Sequence, residues 1–221
     1  VLPVADPLRV AVEVSMLDQM TQGRAFVGFA RGIQTRWINT MAQHRYSLSD
    51  NITDPQRYDD DRRRLFYENL EIILKAWDND TFSHKGEFWT IPAPRTDWPA
   101  QRMTREMGGR SLDAEGNLVE IGIAPAMYNR KRPPMFEPFS VSNRSIELAA
   151  ANGLIPIGIM CDPGIVSEQV DAAQRGWEKA GVYTKRGEKL GFARYMIVGE
   201  TDAEAREFAE LAMFEWTYFF A

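Results

Sequence analysis

Apolar positions along this chain follow two alternating rhythms, and the alternation predicts a parallel α/β fold. From Pro7 to about Met20, Val10, Val14 and Leu17 recur at helical spacing, with Asp6 as N-cap and Pro7 in the first helical position. Gly23 stops that helix. Ala25 to Ala30 is then a nearly continuous apolar run, the pattern of a strand buried on both faces of a parallel sheet. A second helix is expected from Asp59, where Asp59-Asp60-Asp61 places negative charge at its start. Its apolar stripe is Phe66, Leu70, Ile73, Leu74 and Trp77, ending near Asn79. Phe82 to Ile91, centred on Lys85-Gly86, reads as a small hairpin closed by Pro92 and Pro94. Met135 to Ser140, Leu154 to Met160 and Phe192 to Val198 are three further core strands. Each is followed by a helix: one from Ser142-Asn143-Arg144-Ser145 to Gly153, one through Val170, Trp177 and Ala180, and one capped by Thr201 or Asp202. The last carries Ala205, Phe208, Leu211 and Ala212 on one side. Strand and helix therefore alternate in the order of parallel βα units.

Two stretches interrupt the rhythm. Between Gly32 and about Tyr58 the chain is polar and irregular, and loops of that length are often functional. Residues 92–132 form an excursion after the second helix, rich in turn material at Pro99, Gly108-Gly109 and Asp113 to Asn117, with a short strand expected over Leu118 to Ile123. The whole chain, 1–221, is expected to be one domain containing this insertion.

Composition narrows the chemistry. With 221 residues and 44% hydrophobic content the chain can bury a core. Its formal charge is -5, and no stretch gathers Lys and Arg with interleaved aromatics, so nucleic acid is not an expected partner. The single cysteine, Cys161, forms no internal disulfide, and two histidines far apart make a His-based metal site improbable, so no metal is expected. No apolar run reaches bilayer length and no signal peptide is visible, which makes a membrane partner unexpected and a cytoplasmic location the expectation.

The candidate chemistry lies at strand ends. Arg31 and Gly32 fall at the carboxyl end of the first strand, where ligands collect in α/β proteins. Taken alone, Gly32 could equally make an ordinary turn and Arg31 pair with a surface carboxylate. Ser142 and Ser145 lie three apart at a helix start directly after the next strand, where free backbone N–H groups and the helix dipole favour a phosphate. Each serine alone reads as an ordinary cap or a solvated hydroxyl. An arginine and a serine-bearing helix start facing one another make a phosphate clamp. In the loop after Arg31, Arg36, Trp37, Asn39 and His44 are candidates to line a substrate pocket, with His44 the candidate for a catalytic contact. Cys161 ends a strand on the same side, where it is either a small apolar filler or a pocket residue. His84, Arg102 and Arg105 are weaker candidates, the arginines reading as exposed charge.

Leu17 to Gly32, with its helix, Gly-Arg pair and Gly-x-x-Arg-Gly strand end, resembles a segment of the bacterial luciferase-like flavin-dependent monooxygenases. Pro133-Pro134 through Ser142, Ser145 and Ala149-Ala150 to Gly153-Leu154 resembles the segment that grips the flavin phosphate in that family. The helix from Asp59 and the Phe82 to Pro92 hairpin match as well, so the likeness covers nearly the whole chain. The resemblance implies a TIM-type (β/α)8 barrel binding reduced FMN at the carboxyl ends of its strands. It implies that Arg31 and the hydroxyls of Ser142 and Ser145 hold the FMN phosphate, helped by backbone near Val141. Ala30 would lie near the isoalloxazine, where luciferase itself has a reactive cysteine; alanine excludes thiol chemistry there. The implied reaction activates O2 on reduced flavin as a C4a-peroxide that oxidises a small organic substrate, with flavin supplied by a separate NAD(P)H flavin reductase, in a homo- or hetero-oligomer.

A closed barrel needs eight strands, and about four βα units are present here. The expectation is an internal fragment, inactive as it stands, lacking the flanking strands that usually supply the family's catalytic histidine. Two rival readings are a deazaflavin-dependent hydride-transfer enzyme on the same barrel and a non-catalytic flavin-binding partner subunit.

Overall fold

The computed structural model describes residues 1–32, 40–41, 55–94, 106–107, 109–140 and 142–220, with side chains throughout except at 55–58, 139 and 214–220. Helix α1 spans Pro7–Thr21; the Asp6 carboxylate accepts from the N–H groups of Leu8 and Arg9, and Gln22 closes the helix in the left-handed conformation. Strand β1, Val27–Gly28, follows. Helix α2, Pro55–Asp78, leads to the hairpin strands β2, His84–Lys85, and β3, Thr90–Ile91. Strand β4, Met135–Ser140, is followed by helix α3, Asn143–Ala151. Strand β5, Ile155–Gly158, leads to helix α4, Pro163–Lys179, and strand β6, Gly191–Phe192, to helix α5, Asp202–Phe220.

The sheet runs β1-β4-β5-β6, and every neighbouring pair is parallel. The expected α/β class with a parallel sheet is therefore observed. Helix α1 packs on α2, and α3 on α4. Of the stripe read from the sequence, Phe66, Leu70, Ile73 and Trp77 are buried and Leu74 partly so, joined by Phe29, Met135 and Leu154 from the strand side. Full burial of such side chains contributes about 1.5 to 3 kcal/mol each. Trp77 also donates its indole N–H to the Ala11 carbonyl at 3.1 Å, tying α2 to α1. At Gly176 on α4 a Cβ would run into the Glu147 carbonyl of α3, so only glycine permits this helix approach.

Five expectations change. The strand through Ala25–Ala30 is buried on one face only: Phe29 is 4% exposed, but Phe26 is 70% exposed and meets only the edge of the Phe136 ring, at 5.9 Å. Its helix-facing side chains find a partner layer; those on the opposite face find none among the described residues. Helix α2 begins at Pro55 rather than Asp59, because proline suits a first turn, so Asp59 sits a turn inside the helix. Leu118 to Ile123 is not a strand: Leu118 bridges Leu112 while Ile121 bridges Phe82, so each finds a different single partner. The fourth sheet strand stops at Phe192, with the Ala193 N–H to the Gly158 carbonyl the last bond beside it, leaving Tyr195, Met196 and Val198 exposed. The apolar side expected on α5 is also open, with Phe208 and Leu211 exposed.

Candidate functional site

The carboxyl ends of β1 and β4 bring the sequence candidates together. Gly32, at φ 82°, turns the chain immediately after Arg31, a conformation costly for any residue with a Cβ. The Arg62 Nη1 donates to its carbonyl at 3.0 Å, fixing that turn against α2. Arg31 then crosses to the helix start after β4, where its Nη2 donates to Ser145 Oγ at 3.2 Å. Ser142 is the N-cap of α3: its Oγ accepts from the Ser145 N–H at 3.1 Å and donates to Ser145 Oγ at 3.0 Å. Ser145 is buried while Ser142 is exposed, so the pair runs from the protein interior to the surface.

Around Arg31 lies a buried ionic cluster that the sequence reading missed. Asp59 on α2 accepts from Arg31 Nη1 at 3.2 Å, Arg62 Nη2 at 3.3 Å and Arg63 Nη2 at 2.8 Å. Glu137 on β4 places Oε1 3.7 Å from Arg31 Nε. Burial would raise the Asp59 pKa, but the Arg63 hydrogen bond and the charges of Arg31, Arg63 and Arg62 hold its carboxyl below the usual range. Glu137 behaves in the opposite way. Burial pushes it up to about 7, with Arg31 and Arg63 only partly offsetting the loss of water. Tyr67 is raised too, first by burial and then by the Glu137 charge.

This cluster is not saturated. Arg63 Nε and Nη1, Glu137 Oε2, Tyr67 Oη and Ser140 Oγ are all buried and have no hydrogen-bond partner among the described residues. Buried polar atoms are nearly always paired, because an unpaired one costs about 1 to 3 kcal/mol. Unpaired Arg63 donors, linked through Asp59 to the Arg31 that reaches Ser145 at the α3 N-terminus, are a donor set that could hold an anion with several acceptor oxygens. Such a donor set fits a phosphate.

The remaining candidates fall elsewhere. Ala30 is half-buried at the end of β1, and its carbonyl accepts from the Leu2 N–H at 2.9 Å. Cys161 is exposed in the segment before α4, with its Sγ 3.7 Å from the Ile159 carbonyl, so it does not fill a core position. His84 is buried in the hairpin, with Nε2 3.2 Å from Glu68 Oε1 and Nδ1 3.2 Å from Lys75 Nζ. An ammonium can only donate, so Nδ1 accepts and the Nε2–H donates to Glu68. Val141, Arg36, Trp37, Asn39, His44, Arg102 and Arg105 lie outside the described residues. No group of three or more His, Cys, Asp or Glu among the described residues can hold a metal, and no described helix is long and apolar enough to cross a membrane.

One sequence signal pointed to Glu137. It is the only charge in the otherwise apolar run Met135 to Ser140, and an ionisable side chain inside a buried strand is seldom incidental.

The chain resembles proteins of one kind. It is 23% identical over 213 residues to 3,6-diketocamphane 1,6-monooxygenase of Pseudomonas putida, covering 93% of this chain and 50% of that protein. It is 22% identical over 209 residues to 2,5-diketocamphane 1,2-monooxygenase 2 of the same organism, covering 95% and 50%. The chain thus spans about half the length of the curated relatives it matches. Two solved structures share the fold. One is the oxygenating constituent of 3,6-diketocamphane monooxygenase from Pseudomonas putida, a type II Baeyer-Villiger monooxygenase in complex with FMN (TM-score 0.64, 20% identity, 93% of this chain and 49% of that one). The other is monooxygenase RslO1 from Streptomyces bottropensis (TM-score 0.63, 20% identity, 96% and 53%). The sequence matches the luciferase-like monooxygenase family over residues 1–220, and the chain belongs to that family.

Proposed function

We propose that this chain is the phosphate-gripping part of an FMN-dependent monooxygenase that oxidises a small organic substrate with O2, its reduced flavin delivered by a separate NAD(P)H flavin reductase. One observation carries the reading. Arg31 from the end of β1 and Ser145 from the first turn of α3 are hydrogen-bonded across two strands, and Arg31 shares Asp59 with an Arg63 whose buried Nε and Nη1 lack partners among the described residues. Arg31, Arg63, the hydroxyls of Ser142 and Ser145, and backbone near Val141 would hold the phosphate. When bound, reduced FMN supplies the activation of O2 that no side chain provides. The protein's own task is to bind, orient and exclude water. Ala30 adds no thiol, so the chemistry rests on cofactor and substrate placement.

Four consecutive parallel strands, and relatives about twice as long, support reading the sheet as four units of a (β/α)8 barrel with 92–132 as an insertion. Flavin fluorescence titration tests the phosphate assignment. FMN is expected to bind more tightly than riboflavin, and Arg31→Ala to weaken FMN about 10- to 100-fold while leaving riboflavin unchanged. Equal affinities for the two flavins would overturn the reading.

A further inference from the structure

We propose that Glu137 is the positioning residue of Arg31, and that it takes up a proton when a phosphate-bearing ligand enters the arginine cluster. This rests on the phosphate reading of the Arg31 site. Glu137 leaves the middle of β4 with its side chain 4% exposed, and its Oε1 lies 3.7 Å from the Nε of the same guanidinium that reaches Ser145. Its Oε2 has no partner among the described residues. Glu137 therefore holds Arg31 at its Nε, beside the Nη2 that reaches Ser145, while competing, as a carboxylate, for the charge that a phosphate would use.

The sign of the coupling follows from the groups facing Glu137. Arg31 stands at the end of β1 and Arg63 and Tyr67 on α2, with Asp59 of α2 bonded to both Arg31 and Arg62. Arg31 and Arg63 are the charges that favour ionised Glu137, and burial is what opposes them. A phosphate dianion adds negative charge beside Glu137 and draws on those same two guanidinium groups. Both effects favour the neutral acid. Asp59 does not share this response, because three arginines hold its carboxylate ionised. Tyr67 starts protonated and cannot take up a proton.

Two coupled measurements on the full chain test this, with FMN as the probe and riboflavin as control. Wild-type affinity for FMN is expected to fall about tenfold between pH 6.5 and 8.5, and Glu137→Gln, which mimics the neutral acid, to flatten that profile. Calorimetry at pH 7.5 in two buffers of different ionisation enthalpy is expected to show uptake of roughly half a proton per FMN bound by the wild type. The ligand phosphate cannot supply this signal: its second pKa is about 6, and binding to arginines makes it release protons. If Glu137→Gln does not fold, the wild-type proton count still decides. Phosphate-dependent binding without proton uptake, or the same uptake by Glu137→Gln, would overturn the role of Glu137 alone. FMN binding no tighter than riboflavin would overturn the phosphate reading, and this inference with it.

Discussion

Two buried polar networks sit on the same helix, α2, and differ in one respect. At the hairpin, the Glu68 carboxylate accepts from the backbone N–H groups of Glu87, Phe88 and Trp89 at 2.9 to 3.1 Å and from His84, whose other ring nitrogen is met by Lys75. At the strand ends, Arg31 and Arg63 are partly buried and Glu137 is buried, yet Arg63 Nε and Nη1 and Glu137 Oε2 have no partner among the described residues. A satisfied network holds a fold in one arrangement; an unsatisfied one spends stability to stay ready for something that completes it. The first makes His84 structural, and the second is what the proposal assigns to a binding site.

The contrast is sharpest in how each network responds to losing its carboxylate. Glu68→Ala strands three backbone donors and His84 together, so a loss of about 4 kcal/mol in unfolding free energy is expected from urea titration. Flavin affinity should not change.

Glu137→Gln should act the other way. Its ordinary value of 4.5 is raised to about 7 in the folded protein, so the folded state holds a proton that the unfolded chain has released. Below about pH 4.5 both states are protonated and the residue costs nothing. As pH rises toward 7 the cost grows, and above 7 it is fully present, about 3 kcal/mol. The glutamine variant is thus expected to be more stable than wild type by about that amount at pH 8 and indistinguishable near pH 4.5. A destabilised variant at pH 8 would erase the distinction between the two networks. The smallest effect is Ser142→Ala, which removes the N-cap of α3 and should cost about 1 kcal/mol, together with weaker FMN binding.

The legible part of this molecule was local. Ser142 declared itself by following a strand and opening an apolar helix, and Arg31 by following a strand and preceding a glycine; both placements need only short-range patterning. The stripe on α2 was legible for the same reason. Asp59 was misread because helices commonly begin near acidic residues, and the polar sequence before it concealed a start at Pro55. Arg62 and Arg63 stand in the basic run Arg62-Arg63-Arg64 with no local signal of their role, and only the packing of α2 against the sheet turns them inward. The one-sided burial of β1 was likewise invisible: an apolar run states what a strand can tolerate on each face, while Phe26 shows that the neighbours decide.

The central claim is that the unsatisfied arginine donors await a phosphate. Nitrogen-15 NMR of the arginine Nε–H groups in the full chain reports this directly, with Arg63→Lys assigning the Arg63 signal. Saturating FMN is expected to shift the Arg63 Nε–H and slow its exchange with water, while riboflavin leaves it unmoved. An Arg63 signal that ignores FMN while the flavin binds would contradict the account.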